Sequence, residues 1–187
     1  MPSHHASAIR RVAAIALFVS IAGGCRHGPL NPVFETDHPT NLVSHAFVGD
    51  LNATPAPPHG WALDEPRVDP DSYQLVWISP TGRTAYGVIR FNLPLPLGHD
   101  LALFGFLRTM RAQDGQADLL DKQWDEARQA LRFVVRGARY ELSAPMVVRG
   151  SKGWVSYAGT RVDAPVIASE KAIAEQARDR TRFGPAD

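Results

Sequence analysis

At 187 residues and 20.4 kDa, 44% hydrophobic and 21% charged, the chain has material for one core plus extensions. A formal charge of +1 with no basic stripe excludes the usual electrostatic footprint of a nucleic-acid binder. A single cysteine excludes an internal disulfide.

That cysteine closes the one long apolar run. Met1 to Arg11 is polar and ends in Arg10-Arg11, the only charges before Cys25. Val12 to Ala22 follows without a charge, and Gly23, Gly24 and Cys25 come next. A basic segment, a short apolar segment and small residues in that order have the form of a secretory signal peptide. The run is too short for a spanning helix, which needs roughly 20 apolar residues.

The ending Ala22-Gly23-Gly24-Cys25 resembles the lipobox of bacterial lipoproteins, with alanine where leucine is more usual. The resemblance implies that the Cys25 thiol receives a diacylglycerol group through a thioether. It also implies cleavage between Gly24 and Cys25 and a membrane partner held through the lipid. One acyl chain anchors reversibly, whereas two or three anchor stably. Asp directly after the cysteine commonly retains diderm lipoproteins at the inner membrane. Arg26 stands there, which implies an outer-membrane address facing the periplasm in a diderm source. An ordinary signal peptide with an incidental cysteine and an uncleaved anchor are the competing readings.

From Arg26 to Gly60, Pro29, Pro32, Pro39, Pro55, Pro57 and Pro58 interrupt any period. The expected organisation is a signal peptide over 1–24, a lipid-anchored tether over 25–60 and one α+β domain over 61–187. A short ordered piece around Asn41 to Val48 is compatible with that tether.

Within the domain, Tyr73 to Ser79 (YQLVWIS) alternates as a strand. Pro80-Thr81-Gly82 signals a turn. Ala85 to Leu93 is a second strand, apolar on both faces, so the two form a hairpin. Asp100 to Gln113 reads as a helix, with Asp100 as its cap, Leu103, Phe106, Leu107 and Met110 at helical spacing, and Gly115 as its stop. Leu119 to Trp124 and Ala130 to Val135 are further strands. Arg139 to Ser143 and Met146 to Arg149 continue the sheet around Pro145, where a break or an edge position is expected. Trp154 to Ala158 follows, with Trp154 and Tyr157 on opposite faces, so that one is expected to face the helix while the other reaches the surface. Ser169 is placed to cap a final helix to Arg182, whose apolar face of Ala172, Ile173 and Ala177 is thin enough to pack loosely.

This order predicts an α+β fold: an antiparallel meander with the long amphipathic helix packed on it and a C-terminal helix. The order is similar to the Mog1/PsbP-like fold, with cystatin-like or NTF2-like sheets as the alternative. The segment VVRGSKGWVSYAGT also resembles segments of uncharacterised bacterial lipoproteins. The Mog1/PsbP-like resemblance implies an assembly or accessory role.

No serine sits in a G-x-S-x-G elbow, and an acylated Cys25 is no nucleophile. The histidines left after cleavage, His27, His38, His45, His59 and His99, form no metal motif, and no G-x-G-x-x-G or Walker sequence is present. Asp37, His38 and His45 could hold zinc only weakly, so no metal, cofactor or catalytic residue is assigned. Asp114, Asp118, Asp121, Asp125 and Glu126 form an acidic neighbourhood that reads as a solvated face. If they converged, two carboxylates could divide acid and base duties in a hydrolase. Arg132, Arg136, Arg139 and Arg149 read as solubility and edge protection. The expected function is therefore a non-enzymatic envelope lipoprotein that binds or supports a partner. A small-ligand binder, with a cavity near Phe104, Phe106, Trp124 and Trp154, is the alternative, and the hydrolase is a further one.

Overall fold

The computed structural model describes residues 51–184. Cys25, the apolar run before it and most of the expected tether lie outside the described residues.

Among the described residues, ten strands and two helices are formed. They are β1 (Ala53–Thr54), β2 (Ala62–Leu63), β3 (Arg67–Asp69), β4 (Ser72–Ile78), β5 (Thr84–Asn92), α1 (His99–Asp114), β6 (Ala117–Asp125), β7 (Ala130–Gly137), β8 (Tyr140–Arg149), β9 (Lys152–Arg161), α2 (Ala168–Arg180) and β10 (Arg182–Phe183). Eight strands make one antiparallel sheet in the order β2-β4-β5-β9-β8-β7-β6, with β3 also on β4. The α+β expectation holds in this form, an antiparallel sheet with two helices. The chain runs β4 to β5, crosses through α1 to the far edge, and returns as the meander β6 to β9, so that β9 closes on β5.

The helices lie on opposite faces. On the α1 side, Leu103, Phe106, Leu107 and Met110 pack over Leu131, Phe133, Val135, Leu142 and Met146. On the other side, Ala174 and Ala177 of α2 join Leu75, Trp77, Tyr86, Val88 and Trp154. Strands covered twice lose the polar alternation of a one-sided sheet. That is why Tyr73 to Trp77 are all buried, and why Trp154 and Tyr157 are both buried on opposite faces.

Local expectations fare unevenly. Gly115 ends α1 in the left-handed region at φ 77°, and its amide donates to Arg111 O at 3.0 Å. Gly82 turns β4 into β5 at φ 71°. Asp100 is not the cap: Gly98 holds that position, while the Asp100 carboxylate accepts from Lys122 Nζ at 2.9 Å. Ser169 is not a cap either, since Ile167 precedes α2.

Pro145 neither ends the strand nor marks an edge. It lies inside the interior strand β8, opposite Arg132, and the register with β9 continues past it from Ser143↔Ala158 to Met146↔Val155. The proline coincides with the two positions, Ala144 and Pro145, at which the β8–β9 ladder makes no pair. The missing donor is thereby absorbed without a bulge.

Of the stripe expected on the C-terminal helix, only Ala177 is buried. Ala172 and Ile173 face solvent, and Ala174, Ala177, Glu170 and Arg178 are buried. The segment 51–60 is also not free chain. Leu51 and Ala53 are buried, β1 pairs β10, Leu51 O accepts from Trp154 Nε1 at 2.9 Å, and the Ala56 amide donates to Tyr86 Oη at 3.0 Å. The packed unit thus begins by Leu51, not at Trp61.

Candidate functional site

The acidic neighbourhood is spread along an exposed edge. Asp114, at the end of α1, accepts from the Ala138 amide at 2.7 Å and from Arg139 Nε at 3.1 Å, fixing the β7–β8 turn. Asp125 caps the next turn through the Arg128 amide at 3.1 Å and faces Arg132 at 3.6 Å. Glu126 accepts from Trp124 Nε1 at 2.6 Å. Asp118 accepts from Gln116 Nε2 at 2.6 Å, and Asp121 from the Lys122 amide at 2.8 Å. These carboxylates do not converge on a cleft, so they do not make the paired acid and base of the hydrolase alternative. Among the described residues, no group of His, Cys, Asp and Glu is gathered as a metal site.

The four aromatics placed around a cavity are separated by the sheet. Phe106 is in the α1-side core and Trp154 in the opposite one, while Phe104 and Trp124 are exposed. They therefore do not line one cavity between α1 and the sheet. A shallow pocket of about 230 Å³ instead lies at the β3–β4 end, between Asp69, Asp71, Tyr73, Arg90 and Asn92. Ligand clefts usually span about 300–1,000 Å³.

The arginine set is engaged. Arg132 faces Asp125 and Asp179, Arg136 faces Glu141, Arg139 faces Asp114, and Arg149 donates to Gly184 O. The Asp179 carboxylate is the densest node. Burial would raise it, but hydrogen bonds from Arg178 and the charges of Arg178, Arg132 and Arg128 outweigh burial and hold it below the usual carboxylate value. Arg178 also donates to Ser143 Oγ at 2.5 Å, which ties α2 to β8.

Four of the exposed apolar residues lie on α1 and β6: Phe104 is 62% exposed, Leu120 50%, Trp124 42% and Leu119 39%. All but Phe104 belong to β6, the last strand of the sheet. His99 anchors this region. Its Nε2 accepts the Val148 amide at 3.1 Å, and its ring meets Trp124 edge-on at 4.9 Å. Burial lowers the His99 pKa and the nearby Asp100 partly opposes it, consistent with a ring nitrogen that must stay unprotonated to accept. An exposed apolar surface of this kind is the feature most suited to holding another molecule.

None of the described helices is long and apolar enough to cross a membrane. No protein-family description matches the chain, and no curated protein matches it.

Proposed function

We propose that the chain is a lipid-anchored envelope lipoprotein whose folded domain is a non-enzymatic binding or accessory module. The observation that carries the reading is the opening stretch, in which Arg10-Arg11, the apolar run and Ala22-Gly23-Gly24-Cys25 stand in signal-peptide order. Cys25 is the lipidated residue in this reading, and Arg26 favours the outer membrane in a diderm source. The acidic residues engaged one by one, with exposed apolar groups beside an open strand, fit a binding role better than a catalytic one. A helix on each face of an antiparallel sheet supports a Mog1/PsbP-like arrangement. That likeness is one of fold and does not by itself assign a role.

The test is the intact mass of the envelope-extracted protein, wild type beside Cys25→Ser. Loss of Met1 to Gly24 with added lipid mass in the wild type alone is the expected result. An unlipidated product cut elsewhere would leave Cys25 a free thiol and overturn the anchor.

A further inference from the structure

β6 ends the sheet. β7 pairs one of its sides, and no described strand pairs the other. An open edge of this kind is a template for another chain, and charges or a bulge usually blunt it. Here the register shifts between Leu119 and Asp121, so Leu120 is the extra residue of a bulge.

The two faces of β6 differ in chemistry. Leu119, Lys122 and Trp124 stand opposite Val135, Phe133 and Leu131, which belong to the α1-side core. Asp118, Asp121 and Gln123 stand opposite Arg136, Val134 and Arg132 on the other face. The helix adds to the apolar side. Asp100 reaches Lys122 Nζ, and Arg111 Nε donates to Ala117 O at 3.0 Å, so one flank of α1 lies along β6. At about 100° per residue, Asp100, Phe104 and Arg111 fall within about 40° around the axis. Phe104 therefore stands on the same flank of α1 as Asp100 and Arg111.

Charge separates the faces further. Lys122 is paired with Asp100, and Asp125 with Arg132. Asp118 and Asp121 accept only from an amide group and a backbone N–H, and among the described residues neither has a basic side chain within ion-pair distance. One side of the edge carries Leu119 and Trp124 around the Lys122–Asp100 pair, and the other carries two carboxylates outside any ion pair among the described residues, with Arg136 across the ladder from Asp118.

We infer that the β6 edge takes an extended segment of a partner polypeptide as an added strand. That segment is apolar on the side over α1 and carries lysine or arginine on the side of Asp118 and Asp121. Backbone hydrogen bonds supply affinity in such pairing, and alternating side chains supply specificity. A second copy of this chain fits poorly. Joined about a two-fold axis, registers centred on Asp121, Lys122 and Gln123 set Asp121 against itself, Lys122 against itself and Asp121 against Asp125, and like charges directly opposed destabilise a pair. A lipid surface fits poorly too, because it leaves the edge N–H and C=O groups unpaired. The inference rests on the reading of the domain as a binding module and names the surface that binds.

The test uses the full chain in mild detergent and a nine-residue synthetic peptide alternating lysine with valine. Amide hydrogen exchange is followed by mass spectrometry. The expected result is slowed exchange across 117–125, with affinity falling about tenfold when Asp118 and Asp121 are both changed to Asn, the scale of two cross-strand charge pairs. Phe104→Ser should weaken binding as well, while leaving the melting temperature close to wild type. A peptide with glutamate for lysine, and one N-methylated at every residue, should give no protection. Equal protection by the N-methylated peptide, insensitivity to the Asn changes, or no protection at all would overturn the inference. So would β6 protection that rises with protein concentration in the absence of peptide. The same peptide affinity is expected for Cys25→Ser, so failure here and failure of the lipid anchor are read separately.

Discussion

Tyr157 lies across Gly87 so closely that a Cβ on the glycine would sit 2.4 Å from Tyr157 Cζ. The two residues are direct partners in the β5–β9 ladder, and the ring is fully buried. Its hydroxyl accepts from Gln74 Nε2 at 3.2 Å, so the ring is held at both ends. Gly87→Ala should therefore cost about 1–3 kcal/mol, the range for overpacking a core. In a Tyr157→Leu background the clashing ring atoms are gone, and the same change should cost much less. Urea midpoints of the four chains test this as a double-mutant cycle. Equal costs in both backgrounds would refute the contact.

Tyr86 gives the chain an alkaline sensitivity of known sign. Burial pushes its pKa up to about 12, against the lowering effect of hydrogen bonds with Thr181 at 2.6 Å and the Ala56 amide. Between pH 10 and 12 the unfolded chain loses this proton while the folded chain keeps it, so stability falls as pH rises. A gap of that width between the folded and unfolded pKa corresponds to about 2–3 kcal/mol. Tyr86→Phe should be less stable at neutral pH by about 1 kcal/mol through the lost hydrogen bonds. Its disadvantage should vanish or reverse by pH 12. Superimposable alkaline limbs for the two proteins would contradict this.

Asp179 should act at the other end of the scale. Its folded-state pKa is depressed, so its contribution is fully present above the unfolded value near 4 and is lost as pH falls through the folded value. Asp179→Asn removes that contribution, so the variant's stability should depend less on pH below about pH 4. Because the carboxylate is partly exposed, salt should shrink the difference. Thermal melts between pH 2 and 6, at low and high salt, measure it.

Much of the fold was legible because its signals are local. The run Tyr73 to Ser79, the turn at Gly82, the helix up to Gly115 and the meander after it each rest on neighbours in sequence. The double burial of β5 was visible in AYGVIRFNL, which is apolar on both faces. The α2 stripe was not visible, because Glu170 and Arg178 are buried through hydrogen bonds to Thr81 and Ser143, which hydrophobic periodicity does not count. Pro145 misled because its tolerance depends on which ladder positions go unpaired, a property of the sheet and not of the strand. The same holds for the candidate surface. Trp124 reads as a cavity-lining aromatic and Asp118 as a solvated charge until strand order puts β6 at the edge, and strand order is not written in any local pattern.

The docking of 51–54 leads to the last prediction. Proline-rich composition marks 25–60 as tether, yet Leu51 is 0% exposed and its carbonyl holds the Trp154 indole. β1 and β10 clasp each other on the same face, with Gly184 N donating to Asn52 O at 2.8 Å. Leu51 and Ala53 thus share one buried cluster with Ala174, Ala177 and Trp154, and Phe183 packs against it. Leu51→Ala should cost about 2–5 kcal/mol as a buried large-to-small change, whereas a residue in a free tether would cost nothing measurable. The denaturation midpoint of the full chain decides between the two. A wild-type midpoint for Leu51→Ala would return the boundary to Trp61.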